Sequence, residues 1–138
     1  MNLNHDLIRN RCREITESLA RLEKIGLMSK EAFLQDQDVK DIASCRLLIA
    51  IEAALNLCYH ISSKQLKKVP ESYADCFHLV CEAGLIPADL SDNLQKMARF
   101  RNLLVHVYWD IDEEALYSVI TCHLDDLRKY CAAVICLL

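Results

Sequence analysis

Glycine and proline are almost missing from this chain. Its 138 residues include two of each: Gly26 and Gly84, Pro70 and Pro87. Hairpins and loop-rich β folds depend on such residues, and no turn pair or alternating apolar/polar run takes their place. Scarce breakers, with abundant Leu, Ala, Glu, Lys and Arg, predict an all-helical protein. A positive charge excess is also missing. The formal net charge is −4, so the basic footprint of a non-specific nucleic-acid binder is not there. A nucleic-acid role has to rest on local clusters. There are three: Arg9/Arg11/Arg13, Lys64/Lys67/Lys68 and Lys96/Arg99/Arg101. The first two read as a solvated helix face and a helix end.

Cysteine is plentiful, but its metal-binding spacing is missing. Cys12, Cys45, Cys58, Cys76, Cys81, Cys122, Cys131 and Cys136 form no Cys-x-x-Cys pair, which argues against zinc-ribbon and thioredoxin-type readings. His78 with Cys81, and Cys122–His123 with Asp126, lack a second ligand pair, so no metal or other cofactor is expected. A Gly-rich phosphate loop is also missing. Most cysteines sit among apolar neighbours and read as small hydrophobes. There is no charged start followed by an apolar run, so reduced thiols in a cytoplasm are expected. No apolar run approaches the ~18 residues of a membrane span, and no membrane role is expected. The terminal CAAVICLL is too short to span, and Ile135 stands where prenylation requires cysteine.

What is present is helical periodicity. Ile8, Cys12, Ile15, Leu19 and Leu22 draw one apolar stripe on a first helix, Asn4–Lys24, with Gly26 at its end. Ser29 caps a short turn, Lys30–Gln35. A long helix, Asp36–Ser62, is apolar nearly all round at Leu47–Tyr59, as the central helix of a bundle should be. Glu52 and Asn56 interrupt it on one face. They read either as a solvent-facing or hydrogen-bonding stripe, or as the lining of a cleft shared with Arg101 and His106. Lys64–Pro70 forms a loop. Ser72 caps a third helix, Tyr73–Ala83, ending at Gly84, and Pro87 opens a fourth, Ala88–Val105. Asp110 or Asp112 caps a last helix, Glu113–Leu137. The expected architecture is a single domain over residues 1–138. It is an up-and-down bundle of four main helices plus short helical pieces.

Chemistry concentrates in residues 101–108, RNLLVHVY, with the spacing Arg-x-x-x-x-His-x-Tyr. Arginine stabilises anionic charge and histidine moves protons near neutral pH, the two needs of phosphodiester cleavage without a metal. At ~100° per residue, Arg101 and His106 lie about 140° apart on an ideal helix, whereas Asn102 and His106 share a face. The bulky Val107-Tyr108-Trp109 run predicts that the helix ends or frays near His106, which would let the imidazole swing towards Arg101. Read blandly, the same residues are a structural helix end, with Tyr108 and Trp109 as core or interface aromatics.

On these residues the chain resembles the HEPN superfamily and, within it, the HepT-like toxins. Arg101, Asn102, His106 and Tyr108 fit the extended Arg-polar-x₃-His-x-Tyr motif without insertion. The order of helices and the length also fit. The resemblance implies a homodimeric, metal-independent endoribonuclease acting on transfer or messenger RNA. Two copies of the motif would meet across a two-fold axis. It implies catalytic roles for Arg101, Asn102 and His106. Glu52 and Asn56, on the polar stripe of the long helix, are the candidates to support them. The resemblance also implies an MntA-like nucleotidyltransferase antitoxin that silences the toxin by transferring AMP to Tyr108. The alternative is a non-catalytic HEPN dimer that binds such a nucleotidyltransferase, a nucleotide or an RNA phosphate.

Overall fold

A computed structural model describes residues 3–106 and 112–138, and all regular structure among them is helical. In chain order the helices are α1 (His5–Gly26), α2 (Lys30–Gln35), α3 (Gln37–Lys64), α4 (Tyr73–Glu82), α5 (Ala88–His106), α6 (Glu113–Cys122) and α7 (Leu124–Ile135). Local chemistry sets most of the starts. The side chains of Asn4, Ser29, Asp36, Ser72 and Asp112 each accept a hydrogen bond from an amide in the first turn of the helix that follows. Between α4 and α5, Gly84 at φ 80° follows the cap residue. The Gly84 amide donates to Cys81 and the Leu85 amide to Val80, at 2.9 and 3.1 Å. This is a Schellman ending that needs a left-handed residue.

The stripe on α1 is buried as the spacing predicts: Ile8, Cys12, Ile15, Leu19 and Leu22 all face the core. α1 packs most extensively on α3. The Asn4 amide donates to Nε2 of His60 at 2.9 Å, so the start of α1 lies against the end of α3 and the two helices run antiparallel. As a whole, α3 is long and apolar enough to cross a bilayer, more so than its uninterrupted runs indicate. Its apolar surface is instead covered by the bundle: Leu47, Ala50, Ile51, Ala54, Leu57, Cys58 and Ile61 are inside. Tyr130 of α7, fully buried, donates its hydroxyl to the Ala54 carbonyl at 3.2 Å and meets Phe77 of α4 edge to face.

One expectation is corrected. The last helix is not continuous, because His123 (φ −122°, ψ 3°) separates α6 from α7. Val119-Ile120-Thr121-Cys122-His123 is a run of weak helix formers, and Asp125 and Asp126 favour a new N-terminus just after it. Gly26 lies at a helix end as expected, the last residue of α1, within ordinary contact distance of Ile120 of α6.

The Asn4–His60 contact makes a pH prediction. Burial, and then the nearby Lys64 charge, hold the His60 imidazole below its ordinary value. The unfolded chain therefore takes up this proton first as pH falls. The stability tied to the contact is present at neutral pH and drains away below about pH 6.5, since a protonated Nε2 cannot accept from Asn4. Protection against amide exchange in the first turn of α1 should be weaker at pH 5.5 than at pH 7.5. Equal rates, after correction for intrinsic exchange, would refute it.

Candidate active site

Arg101 is the centre of the best-defined polar cluster. It lies on α5, where that helix packs against both α3 and α4. Its Nε donates to Oε1 of Glu52 on α3. Its Nη1 donates to Oδ1 of Asn102 at 3.3 Å. The guanidinium carbon lies 4.6 Å from the ring centroid of Tyr73, the first residue of α4. Three helices thus hold one cation, through an ion pair on one edge and an aromatic face beneath. The Arg101 side chain is only 13% exposed while Glu52 is 45% exposed, so the pair sits at a groove wall, half in water.

That groove encloses about 590 Å³. Leu48, Ile49 and Ala53 of α3 line it with Glu52 and Asn56, Arg11 and Glu14 of α1 line it from the other side, and Tyr59 and Tyr73 wall it. Arg11 makes a two-pronged ion pair to both oxygens of Glu14, each at 2.7 Å. A second cleft of about 460 Å³ lies across the tyrosines, lined by Ser72, Arg99 and Asn102 among others. Tyr59 and Tyr73, which meet edge to face at 6.1 Å, form the ridge between the two. Burial, with neighbouring acidic groups adding to it, raises the Tyr59 hydroxyl above its ordinary value, so it stays neutral.

The geometry sorts the sequence candidates. Glu52 reaches Arg101 directly, and Asn56 lines the groove beside them. Asn102 touches Arg101 and borders the second cleft. α5 runs through His106, one residue beyond the expected end, so positions 101 and 106 stay about 140° apart by helical register. Tyr108 lies outside the described residues, as do the imidazole of His106 and the segment expected to let it swing. Arg99 borders the second cleft, but Lys96 lines a different depression with Phe100 and His123, so the third basic cluster is divided. His78 pairs with Glu82 at 2.9 Å and His123 with Asp126 at 3.4 Å. Among the described residues no three His, Cys, Asp or Glu side chains converge as metal ligands would.

Sequence reasoning missed Tyr59 and Tyr73. Tyr59 was within reach, since Glu52, Asn56 and Tyr59 continue one face at four- and three-residue spacing. Tyr73 carried no signal beyond following the cap Ser72. Only the tertiary fold brings its ring under an arginine 28 residues later in the chain.

Comparison with known proteins identifies the family. A family model described as ribonuclease HepT-like matches residues 15–134. The mRNA nuclease HepT of Shewanella oneidensis is 31% identical over 130 residues, covering 91% of this chain and 94% of that one. A solved structure of a tri-AMPylated Shewanella oneidensis HEPN toxin in complex with MNT antitoxin superposes with a TM-score of 0.88 at 28% identity. The match covers 96% of this chain and 99% of that one. The Bacillus subtilis cytosolic protein YutE shares the fold, with a TM-score of 0.87 at 18% identity over 99% of this chain and 91% of its own. The chain therefore belongs to the ribonuclease HepT-like family and is a ribonuclease of the HEPN fold.

Proposed function

We propose that this protein is the toxin of a toxin–antitoxin pair, a homodimeric endoribonuclease whose chemistry comes from Arg101, Asn102 and His106 without a metal ion. The observation that carries the reading is the built Arg101 cluster, five residues before His106 on one helix and beside a groove with room for a nucleotide. One His106 would accept the 2′-hydroxyl proton as that oxygen attacks the phosphorus. A second histidine would protonate the departing 5′-oxygen, leaving a 2′,3′-cyclic phosphate. Arg101 would stabilise the charge that builds on the phosphoryl oxygens, and Asn102 would orient the phosphate or the guanidinium. Positions 101 and 106 do not share a face of α5. A two-fold axis that pairs Arg101 of one protomer with His106 of the other resolves that, and it supplies the second histidine. Glu52 and Asn56 would support the cluster from α3.

Silencing is assigned to Tyr108. An antitoxin nucleotidyltransferase would move AMP from ATP onto its hydroxyl, with pyrophosphate leaving. Each unit adds a negative phosphate and a bulky adenosine two residues from His106, which would repel and obstruct an RNA phosphate. The tri-AMPylated relative held by its MNT antitoxin supports this reading, as does a relative described as a toxin–antitoxin structure with AMP-PNP. Incubation with the cognate nucleotidyltransferase and ATP should raise the intact mass by whole AMP units and abolish RNA cleavage. Tyr108→Phe should gain no mass and stay active. A mass gain that survives Tyr108→Phe would move the modification elsewhere. A protein that binds the transferase yet never cuts RNA would support the non-catalytic dimer instead.

A further inference from the structure

We infer that Tyr73 is a positioning residue for Arg101. Its ring is a platform that fixes the guanidinium plane so that the outer nitrogens meet the scissile phosphate. This rests on the reading of Arg101 as the group that stabilises the phosphoryl charge.

The argument begins with the guanidinium itself. Its N–H donors all lie in one plane, and its faces carry none. A phosphate must bind in that plane. An aromatic ring under one face holds the group without competing for a single donor. The Arg101 guanidinium carbon lies over the Tyr73 ring, 4.6 Å from its centroid. Glu52 takes the inner Nε, and Asn102 takes Nη1 at a long 3.3 Å. Neither of these bonds uses Nη2, the nitrogen assigned to the phosphate. An arginine held this way has less rotamer freedom to lose when the phosphate arrives.

The surroundings show that the ring is fixed in its turn. Tyr73 opens α4, and the Asp75 amide donates to the Ser72 side chain at 3.0 Å. The Glu71 amide donates to Oδ2 of Asp75 at 2.9 Å. The connection from α3 is tied by the Lys68 amide to the Ser62 carbonyl at 2.9 Å, with Lys67 in the left-handed region at φ 55°. Tyr59 of α3 then braces the ring edge to face.

The test compares Tyr73→Phe with Tyr73→Leu on a defined oligoribonucleotide. It also follows the Arg101 Nε–H resonance of ¹⁵N-labelled protein, assigned by its loss in Arg101→Lys. Tyr73→Leu should lower kcat about tenfold with KM changed less than about twofold, and should shift the Nε–H resonance by removing the ring current. Tyr73→Phe, which keeps the ring, should behave like the native protein in both. If Tyr73→Leu loses its fold by circular dichroism, Tyr73→Met, closer in volume, serves the same comparison. A native kcat in the aliphatic variant, an unmoved resonance, or equal damage from phenylalanine would overturn the inference. If the native protein cuts no RNA, the ribonuclease reading of Arg101 fails by itself. The resonance then still decides whether Tyr73 holds the arginine.

Discussion

Replacing His106 with alanine is expected to lower RNA cleavage by about 10³-fold or more, with little change in melting temperature. General acid–base catalysis contributes about 10²–10⁴-fold, and in a two-fold site one substitution removes both the acid and the base. Arg101→Ala should cost about 10²–10³-fold, the usual scale for losing one donor aimed at developing charge. Its cost in stability should stay near 1 kcal/mol, because the abandoned Glu52 is half in water and can be solvated. Arg101→Lys is informative between these extremes. Lysine keeps the charge but loses the planar fork that stacks on Tyr73 while pairing with Glu52. It should recover only a minor part of the activity. Turnover on a defined oligoribonucleotide, with melting curves for each variant, checks the ranking. Arg101→Lys at native activity would mean that only the charge matters.

The largest expected loss of stability comes from Tyr130→Ala, at about 3–5 kcal/mol. Tyr130 is fully buried and joins three helices at once, by its own place on α7, its hydroxyl on Ala54 of α3 and its ring on Phe77 of α4. Burial pushes its hydroxyl well above the ordinary value, so it donates as a neutral group throughout the physiological range. Truncation leaves a large cavity and an unfilled junction. Tyr130→Phe removes only the hydroxyl and should cost about 1 kcal/mol. The two helices it clamps are those that carry Glu52 and Tyr73, so the alanine variant should also lose activity at temperatures where the phenylalanine variant keeps it. Urea unfolding of both variants measures the difference. A Tyr130→Ala cost below about 1 kcal/mol would show that the junction does not hold the bundle together.

The bundle was legible because its signals are local. The caps Ser29 and Ser72, Asp112 as one of the two caps offered for the last helix, and the stripe from Ile8 to Leu22 each act within a few residues, and each appears where the sequence places it. The break at His123 was hidden because the apolar stripe runs on in register from Ile120 to Leu124, and weak propensity is a faint signal beside a continuous stripe. At the site, the motif spacing named Arg101 and Asn102, and the polar interruption of α3 named Glu52. The contact between Arg101 and Glu52 spans 49 residues of sequence, and nothing local encodes it. Tyr73 belongs to the same class. Its role exists only once α4 and α5 are packed side by side, a long-range consequence of the core around Phe77 and Tyr130.

The most direct measurement is cleavage of a defined single-stranded RNA by the purified protein in excess EDTA, with the product ends identified by mass spectrometry. The native protein should cut under these conditions and leave a 2′,3′-cyclic phosphate on one fragment and a 5′-hydroxyl on the other, and His106→Ala should leave the RNA intact. Cleavage that stops with EDTA, or that proceeds at the native rate in His106→Ala, would contradict the Arg101–His106 centre.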